Sequence, residues 1–289
     1  MTDLRTSTVE AKPITDADTW AVAEFLRRER SLKMSVADWH RYMVTPGHFE
    51  QPNHGYLLRE NDRVVGAYLA LYSERVIDGR RHSICNLGLW CVAPEHRAHG
   101  LRLLRSLLRQ KGYTFTDLTP NQNVVALNSR VGFTELDTTT AVVPNMPWPF
   151  PSKKVRVVDA PDEIDGLLPE KERSIYRDHA ATAVHHVVLS SENRACYVMF
   201  RRERRKRMRV FASILYVSNP DLFRECASHF YRYLLLRHRI CATLAEIRVV
   251  KYRPKLAVTV AGWPKMYLSE DLQPAQIDYL YSELVCRSW

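Results

Sequence analysis

Residues 92–102 read Val-Ala-Pro-Glu-His-Arg-Ala-His-Gly-Leu-Arg, and they decide the fold. The residues before them, 83–92, are mostly apolar and predict a buried strand, whereas leucines at positions 101, 104 and 108 predict an amphipathic helix immediately after the turn. Gly100 stands where that helix begins, at the positive end of its dipole and among N–H groups that lack partners within the helix. Such a strand–turn–helix is typical of a phosphate site, although an ordinary connection with surface arginines remains the alternative at this point.

The segments on either side of this turn predict a mixed α/β fold. Upstream, polar caps and apolar spacing predict two helices, one from Thr15 to Arg30 and one that begins at Ser35 and stops near Pro46-Gly47. Strands are predicted over 55–59, 64–72 and 83–92. Downstream, a strand over 113–118 precedes a short helix that ends before Gly132.

The second half of the chain repeats the order of the first. Pro144 to Lys154 contain four prolines and predict a linker, so we expect domains at residues 1–145 and 155–289, joined by residues 146–154. The elements predicted after it are a helical stretch over 162–181, strands over 186–189, 195–200 and 210–217, a long helix capped by Asn219, and a strand over 245–250. The predicted fold class is α/β, a tandem of two lobes that each contain a mostly antiparallel sheet flanked by helices.

The composition limits the class of protein. With 46% hydrophobic and 26% charged residues among 289, the chain has enough apolar material for two cores without a disulfide or a metal. The six cysteines form no CxxC pair and the eleven histidines show no ligand spacing, so no metal site is expected. We expect a cytoplasmic protein without a membrane span, since the start is polar and no apolar run approaches the roughly 18 residues that a span needs. The net charge of +10 favours an anionic partner, whether nucleic acid, a membrane surface or a phosphate-rich ligand.

Two motifs in the first half resemble the Gcn5-related N-acetyltransferases. That family's pyrophosphate motif is Arg/Gln-x-x-Gly-x-Gly/Ala after a strand that ends in Val-x-Pro, and here Val92-Ala93-Pro94 precede Arg97-Ala98-His99-Gly100-Leu101-Arg102. The second motif spaces Asn, a small apolar residue, Tyr and Gly-Phe, and is matched by Asn121, Val124, Asn128 and Gly132-Phe133. Arg102 departs from the small last residue of the first motif, and Asn128 stands in place of the Tyr.

The resemblance implies a site for acetyl-CoA or another acyl-CoA. Amides around Arg97 to Arg102 would hold the pyrophosphate, the strand end at 90–92 would pair with the pantetheine arm, and Asn121 would approach the cofactor. The implied cofactor-binding residues are Trp90, Cys91, Val92, Arg97, Ala98, His99, Gly100, Leu101, Arg102 and Asn121. Arg102 would either crowd the cofactor or add a phosphate contact.

Two positions are the candidates for catalysis. The family's Tyr often protonates the leaving thiolate, but Asn128 has no proton to give at neutral pH, so acid catalysis must come from water or another residue, or be dispensable. Asp117 lies near the end of a strand beside the predicted cleft and is the candidate base, with a solvated or capping carboxylate as the alternative. Cys91 has no histidine and carboxylate that the sequence can assign to it, which favours an inert thiol.

The second half lacks the phosphate motif. Ser218-Asn219-Pro220-Asp221 stands between its strand and its long helix, and the charge of Asp221 disfavours phosphate binding at that helix start. We therefore expect a degenerate lobe that shapes the acceptor cleft or stabilises the first lobe. The basic run Arg201–Arg209 is predicted to form a hairpin tip, either solvated or able to capture an anionic acceptor or nucleic acid. It contains no aromatic residue for stacking bases, which weakens the nucleic-acid interpretation.

These features predict an acyl-CoA-dependent N-acyltransferase. Acetyl is the expected acyl group, and a small-molecule amine is the expected acceptor, with an amino sugar favoured by a faint likeness to acyltransferases of polysaccharide synthesis. One alternative is an aminoacyl-tRNA-dependent transferase, which also pairs two such lobes. The other is a ligand-binding or nucleic-acid-binding module without catalysis, for which Asn128 is the best argument.

Overall fold

The computed structural model describes residues 8–30, 34–44, 51–147, 155–205 and 209–286, and within these ranges the chain forms two seven-stranded sheets. The elements of the first half are β1 Val9–Pro13, α1 Thr19–Glu29, α2 Val36–Val44, β2 Gly55–Glu60, β3 Arg63–Ile77, β4 Arg80–Val92, α3 Gly100–Leu108, β5 Tyr113–Asp117, α4 Gln122–Arg130, β6 Thr134–Glu135 and β7 Thr140–Pro144. The elements of the second half are β8 Val155–Val158, α5 Pro161–Leu167, α6 Glu170–His179, β9 His185–Ser191, β10 Arg194–Arg205, β11 Arg209–Val217, α7 Pro220–His238, β12 Ala242–Glu246, α8 Ile247–Val250, β13 Val258–Val260, β14 Met266–Leu268 and α9 Glu283–Cys286.

Both sheets have the same order of strands. The first sheet runs β1-β2-β3-β4-β5-β14-β6, and the second, read from its other end, runs β8-β9-β10-β11-β12-β7-β13. Each contains one parallel pair, β4 with β5 and β11 with β12, among antiparallel neighbours. The predicted fold class is confirmed: two α/β lobes with mostly antiparallel sheets.

The two lobes exchange one strand each. β7 precedes the predicted linker but pairs with β12 and β13 in the second sheet. β14 lies near the end of the chain but pairs with β5 and β6 in the first sheet. Two strands thus cross the division of the chain predicted at residues 146–154, most of which lie outside the described residues.

Most predicted elements are found, with one local correction. The strand predicted over 245–250 is wrong for its last four residues, because β12 ends at Glu246 and residues 247–250 form the short helix α8. The amide of Ile247 donates to the carbonyl of Thr139, and Lys251 closes the turn in a left-handed conformation. Branched side chains favour a strand locally, but these tertiary contacts decide the conformation.

Helices cover the sheets on faces set by their apolar stripes. In α3, the buried residues are Gly100, Leu103, Leu104 and Leu107, which pack with β2, β3 and β4, while the arginines of the helix face outward. On the opposite face, α1 and α2 bury Phe25, Leu26 and Trp39 in a second cluster. In the described parts of the chain, no helix is long and apolar enough to cross a membrane.

Candidate active site

A cleft opens in the first sheet where its parallel pair of strands separates. β4 and β5 pair from Ser83 with Tyr113 to Asn86 with Thr116, after which β4 continues to Val92 paired only with β3. Opposite Leu69 of β3, β4 contains one extra residue, a β-bulge at positions 88–89. A cavity of about 460 Å³ lies there and is lined by Arg30, Tyr42, Tyr68, Gly88, Leu89, Trp90, Val92, Arg97, Gly100, Asp117, Thr119, Pro120, Asn121, Val124 and Glu283. We call it the first cleft.

At one end of the first cleft lies the predicted phosphate turn. A Cβ atom added at Gly100 would lie 3.5 Å from Trp90 Cζ2 and from Val92 Cγ2, so a larger side chain there would fill this end of the cavity. The ring of Trp90 stacks on Tyr68 with centroids 4.8 Å apart, and its buried Nε1 donates to no acceptor in the described part of the chain. The guanidinium of Arg97 also borders this end.

The turn itself differs from the predicted row of unpaired amides. Residues 94–99 form a 3₁₀ helix, and the amide of Gly100 donates to the carbonyl of Arg97. Its φ of −55° is an ordinary helical value, so the glycine is not required by backbone conformation. What the position provides is space next to Trp90 and a cation at Arg97.

The predicted cofactor residues separate into two groups. Those that line the first cleft are Trp90, Val92, Arg97, Gly100 and Asn121, and those that do not are Cys91, Ala98, His99, Leu101 and Arg102. Cys91 points to the opposite face of β4 because side chains alternate along a strand, and it packs in the core below α1 and α2. Burial raises the pKa of its thiol, which fits the inert interpretation.

Arg102 serves the fold of the first lobe. Its guanidinium donates to the carbonyl of Val9 at 2.7 Å and so ties α3 to the edge strand β1. Arg102 does not border the first cleft. The contact explains why a long side chain replaces the small residue of the motif, since only a long chain can span from α3 to β1.

Asp117 lies at the floor of the first cleft, at the last residue of β5. The side chain is only 4% exposed, and burial raises the pKa of its carboxyl to about 7. Two hydrogen bonds oppose this shift, one from the amide of Thr119 and one from Asn128 Nδ2 at 2.8 Å. A carboxyl with this pKa can both accept and give a proton near neutral pH.

Asn128 does not reach the first cleft. It is fully buried in the last turn of α4, behind Asp117, and its side chain contacts the carboxyl rather than the cavity. The position that holds Tyr in the family motif therefore supports Asp117 here and is not placed to touch a ligand directly.

Asn121 caps α4 at the border of the same cleft. Its Oδ1 accepts hydrogen bonds from the amides of Asn123 and Val124, at 3.0 and 3.1 Å. This N-cap fixes the start of α4 against the cavity, with Val124 in the first turn also lining it.

Several cleft residues carry no local sequence signal, and Glu283 is the most informative of them. It belongs to α9, is 2% exposed, and accepts a hydrogen bond from the hydroxyl of Thr119 at 2.8 Å. Glu283 reaches the first lobe only because the chain returns there after β14. Local sequence patterns do not reveal this return. Burial, with the charges of Asp117 and Glu283, raises the pKa of Tyr68 well above its usual value, so that hydroxyl stays protonated.

Within its described residues, the second lobe has no counterpart of the phosphate turn. Asn219 caps α7 through a hydrogen bond from the amide of Leu222 at 3.0 Å, as predicted, and Asp221 occupies the first turn. The basic run lies on the β10–β11 hairpin, whose two strands pair as far as Arg205 opposite Arg209. The tip of the hairpin, at 206–208, lies outside the described residues. Arg201 is not at the tip: its guanidinium turns inward to Glu203 and to the carbonyl of Leu284.

Comparison with solved structures shows the fold. The chain resembles a GCN5-related N-acetyltransferase from Anabaena variabilis with a TM-score of 0.61 at 14% identity, over 90% of this chain and 72% of that one. It resembles a second, from Kribbella flavida, with a TM-score of 0.58 at 17% identity, over 92% and 72%. A region described as a GCN5-related glucosamine N-acetyltransferase, from a fungal multi-domain β-N-acetylglucosaminidase, aligns with a TM-score of 0.55 at 12% identity, over 92% and 38%. No protein-family model and no curated protein matches the chain.

The chain thus has the two-lobed fold of the GCN5-related N-acetyltransferases, which confirms the expectation from the two sequence motifs. The likeness covers both lobes, since about nine-tenths of this chain aligns.

Proposed function

We propose that the protein is an acyl-CoA-dependent N-acyltransferase that transfers an acyl group, in the first instance acetyl, to the amine of a small molecule. The observation that carries the proposal is the first cleft, which joins the phosphate-type turn at Gly100 to a buried carboxyl, Asp117, with a pKa of about 7. Structural neighbours named as acetyltransferases support the class of reaction, and the glucosamine N-acetyltransferase region supports an amino sugar as acceptor.

The residues at the turn fit an acyl-CoA. Gly100 leaves room that a Cβ would fill, Trp90 offers a buried N–H donor, and Arg97 supplies a positive charge for a phosphate. Val92 adds an apolar wall. When bound, acyl-CoA supplies a thioester whose carbonyl carbon is open to attack by an amine.

Asp117 and Glu283 are the groups that can move protons in the first cleft. In the transfer, a C–N bond forms, the C–S bond breaks, one proton leaves the amine and one proton reaches the departing sulfur. Asp117 lines the cavity, and its pKa near neutrality suits it to either proton step. Glu283 is the second carboxyl of the cavity. Tyr68 remains a hydroxyl and can donate a hydrogen bond to the developing oxyanion.

A panel of acyl-CoAs with pooled amines, assayed by release of free thiol, tests the proposal. We expect wild-type turnover with acetyl-CoA, and a fall in kcat of roughly 10²-fold or more for Asp117→Asn, which keeps the shape of the side chain and its contact with Asn128. Asp221→Asn, at the start of α7, is the matched control and should have wild-type rates. The proposal fails if wild type releases no thiol with any amine, or if Asp117→Asn is as fast as wild type.

A further inference from the structure

A second cleft lies at the corresponding place in the second sheet. β11 and β12 pair in parallel from Phe211 with Ala242 to Ser213 with Leu244, and a cavity of about 370 Å³ opens beyond that point. It is lined by Leu118, Thr119, Pro120, Thr140, Arg201, Glu203, Ser213, Ile214, Leu215, Leu244, Glu246, Gly262, Trp263, Pro264, Lys265, Tyr279 and Leu284. Its volume lies within the range of about 300–1,000 Å³ that is usual for small-molecule sites.

The second cleft adjoins the first. Thr119 and Pro120 line both cavities, and consecutive residues of α9 divide between them, Glu283 in the first and Leu284 in the second. A molecule held in the second cleft therefore lies next to the carboxyls of the first.

Four charged side chains line the second cleft, and they form two ion pairs. Arg201 Nη2 lies 3.0 Å from Glu203 Oε1, and Lys265 Nζ lies 2.5 Å from Glu246 Oε2. All four side chains are at most 21% exposed. Arg248, which does not line the cleft, also pairs with Glu246, at 3.2 Å between Nε and Oε1, so the group as a whole carries one excess positive charge. So small a net charge disfavours a polyamine and gives little attraction for a polyanion such as nucleic acid. These side chains suit a neutral or weakly charged ligand with many hydroxyl groups, which can donate to the carboxylates and accept from the cations.

An aromatic platform stands at the edge of this cleft. Trp263 lines the cavity and is 73% exposed, so one face of its indole ring is open to a ligand. Its loop is held closely, because a Cβ atom at Gly262 would lie 2.3 Å from the carbonyl oxygen of Thr138, and Pro264 follows the tryptophan. The exposed indole is a stacking surface for a flat apolar face, which a pyranose ring presents through its C–H groups.

We propose that the second cleft is a saccharide-binding subsite that holds a non-reacting ring of an amino-sugar acceptor, stacked on Trp263 and hydrogen-bonded to the Arg201–Glu203 and Lys265–Glu246 pairs. The ring that bears the reacting amine then lies across Thr119 and Pro120, beside Glu283. The role of the bound sugar as acceptor rests on the proposed acyltransferase function. Sugar binding in the second cleft does not depend on that function.

Binding in the absence of acyl-CoA tests the subsite directly. Isothermal titration of the full chain measures the affinities for glucosamine, for its β-1,4-linked dimer and trimer, and for spermidine, an acyclic amine. We expect the trimer to bind at least about tenfold more tightly than glucosamine, and Trp263→Ala to lose that gain. Trp20→Ala, which removes an exposed indole on α1 that lines neither cleft, should bind like wild type.

Every result of these titrations either supports or overturns the saccharide subsite. Equal affinity of Trp263→Ala and wild type, binding of spermidine as tight as that of the trimer, or no binding of any saccharide overturns the subsite. Because Trp263 is exposed, the circular dichroism spectrum of Trp263→Ala should match that of wild type. A second variant, Glu203→Gln, should also bind the trimer more weakly than wild type does. Trp263-dependent binding without thiol release from any acyl-CoA would leave the subsite standing and remove only the acyltransferase function.

Discussion

The side chains of Asp117 and Asn128 are joined by a buried hydrogen bond of 2.8 Å, which links the last residue of β5 to the last turn of α4. Asn128 occupies the position at which the family motif carries Tyr, and here it acts on the carboxyl instead of on a ligand. The amide N–H favours the ionised carboxylate and so offsets part of the shift that burial imposes. In the function that we propose, Asp117 takes the proton-transfer role that the motif assigns to the Tyr position.

Asp117 makes the stability of the protein depend on pH. Because the pKa of about 7 in the folded chain lies above the value of about 3.8 for a free aspartate, the folded state holds the proton more tightly. Stability from this group is greatest below pH 4 and falls as pH rises to 7, by roughly 4 kcal/mol for a shift of about three units. Urea unfolding of Asp117→Asn and wild type should give similar free energies at pH 4 and a more stable variant at pH 8. A constant difference between pH 4 and pH 8 would contradict the buried-acid assignment.

Replacing Asn128 should change the pH profile of activity. Asn128→Leu keeps the number and branching of the side-chain heavy atoms but removes the donor, so the pKa of Asp117 should rise further. The limb of the kcat profile that reports Asp117 should therefore move to higher pH. Asn123→Leu, on the exposed side of α4, is the control and should leave the profile in place. A loss of rate with an unshifted profile would mean that Asn128 serves the fold alone.

The local patterns that predicted the first lobe did so because each signal resides in a few neighbouring residues. The apolar run at 83–92, the leucine spacing of α3 and the cap at Asn121 each specify an element without reference to the rest of the chain. For the same reason the cleft position of Asp117, at the end of β5, could be inferred from the order of elements.

The remaining parts depend on long-range contacts. Glu283 reaches the first cleft only because β14 crosses into the first sheet, and Arg102 bonds to Val9 some ninety positions away. Pro144 suggested a linker, yet it ends β7, where a strand terminus tolerates proline. Neither the strand exchange nor the partners of these side chains is encoded in a local pattern, so only the three-dimensional structure reveals them.

Asn121 and Asn219 form a matched pair of helix caps, one at each lobe. Alanine at either position should cost about 1 kcal/mol of stability, since each side chain accepts hydrogen bonds from amides of the first turn. Only Asn121→Ala should also weaken acetyl-CoA binding, because only Asn121 lines the first cleft. Thermal unfolding and calorimetric titration of both variants check this, and a comparable loss of CoA affinity in Asn219→Ala would reassign the cofactor to the second lobe.

The strand exchange predicts that residues 1–145 do not form a stable lobe. That fragment lacks β14, so β5 and β6 lose the strand that lies between them, and β7 has no sheet to join. We expect it to aggregate or to melt without a cooperative transition. Joining residues 262–270 through a flexible linker after residue 137 should restore cooperative melting. A sharp transition in the unmodified fragment, measured by circular dichroism, would show that the exchange contributes little.

Gly100 and Arg97 provide the sharpest test of the cofactor site. Valine at Gly100 suits the helical backbone, but its methyl groups would enter the space bounded by Trp90 and Val92, so affinity for acetyl-CoA should fall by roughly 100-fold or more. Arg97→Ala removes one charged contact and leaves that space open, so a loss of about tenfold is expected. The order of the two effects distinguishes a shaped phosphate turn from a general attraction of anions to a basic protein, which would make Arg97→Ala the larger loss.

Gly166→Val is the matched control for Gly100→Val. Gly166 lies in α5 of the second lobe, where an added Cβ meets no other atom within 4 Å. The same substitution there has the effect of valine on the stability of a helix but does not fill the first cleft. Isothermal titration with acetyl-CoA should therefore give wild-type affinity for Gly166→Val, with circular dichroism confirming that all three variants are folded. If Gly100→Val binds acetyl-CoA as tightly as this control does, the pyrophosphate does not lie against α3, and the cations at Arg97 and Arg30 would have to hold it from the open side of the cleft.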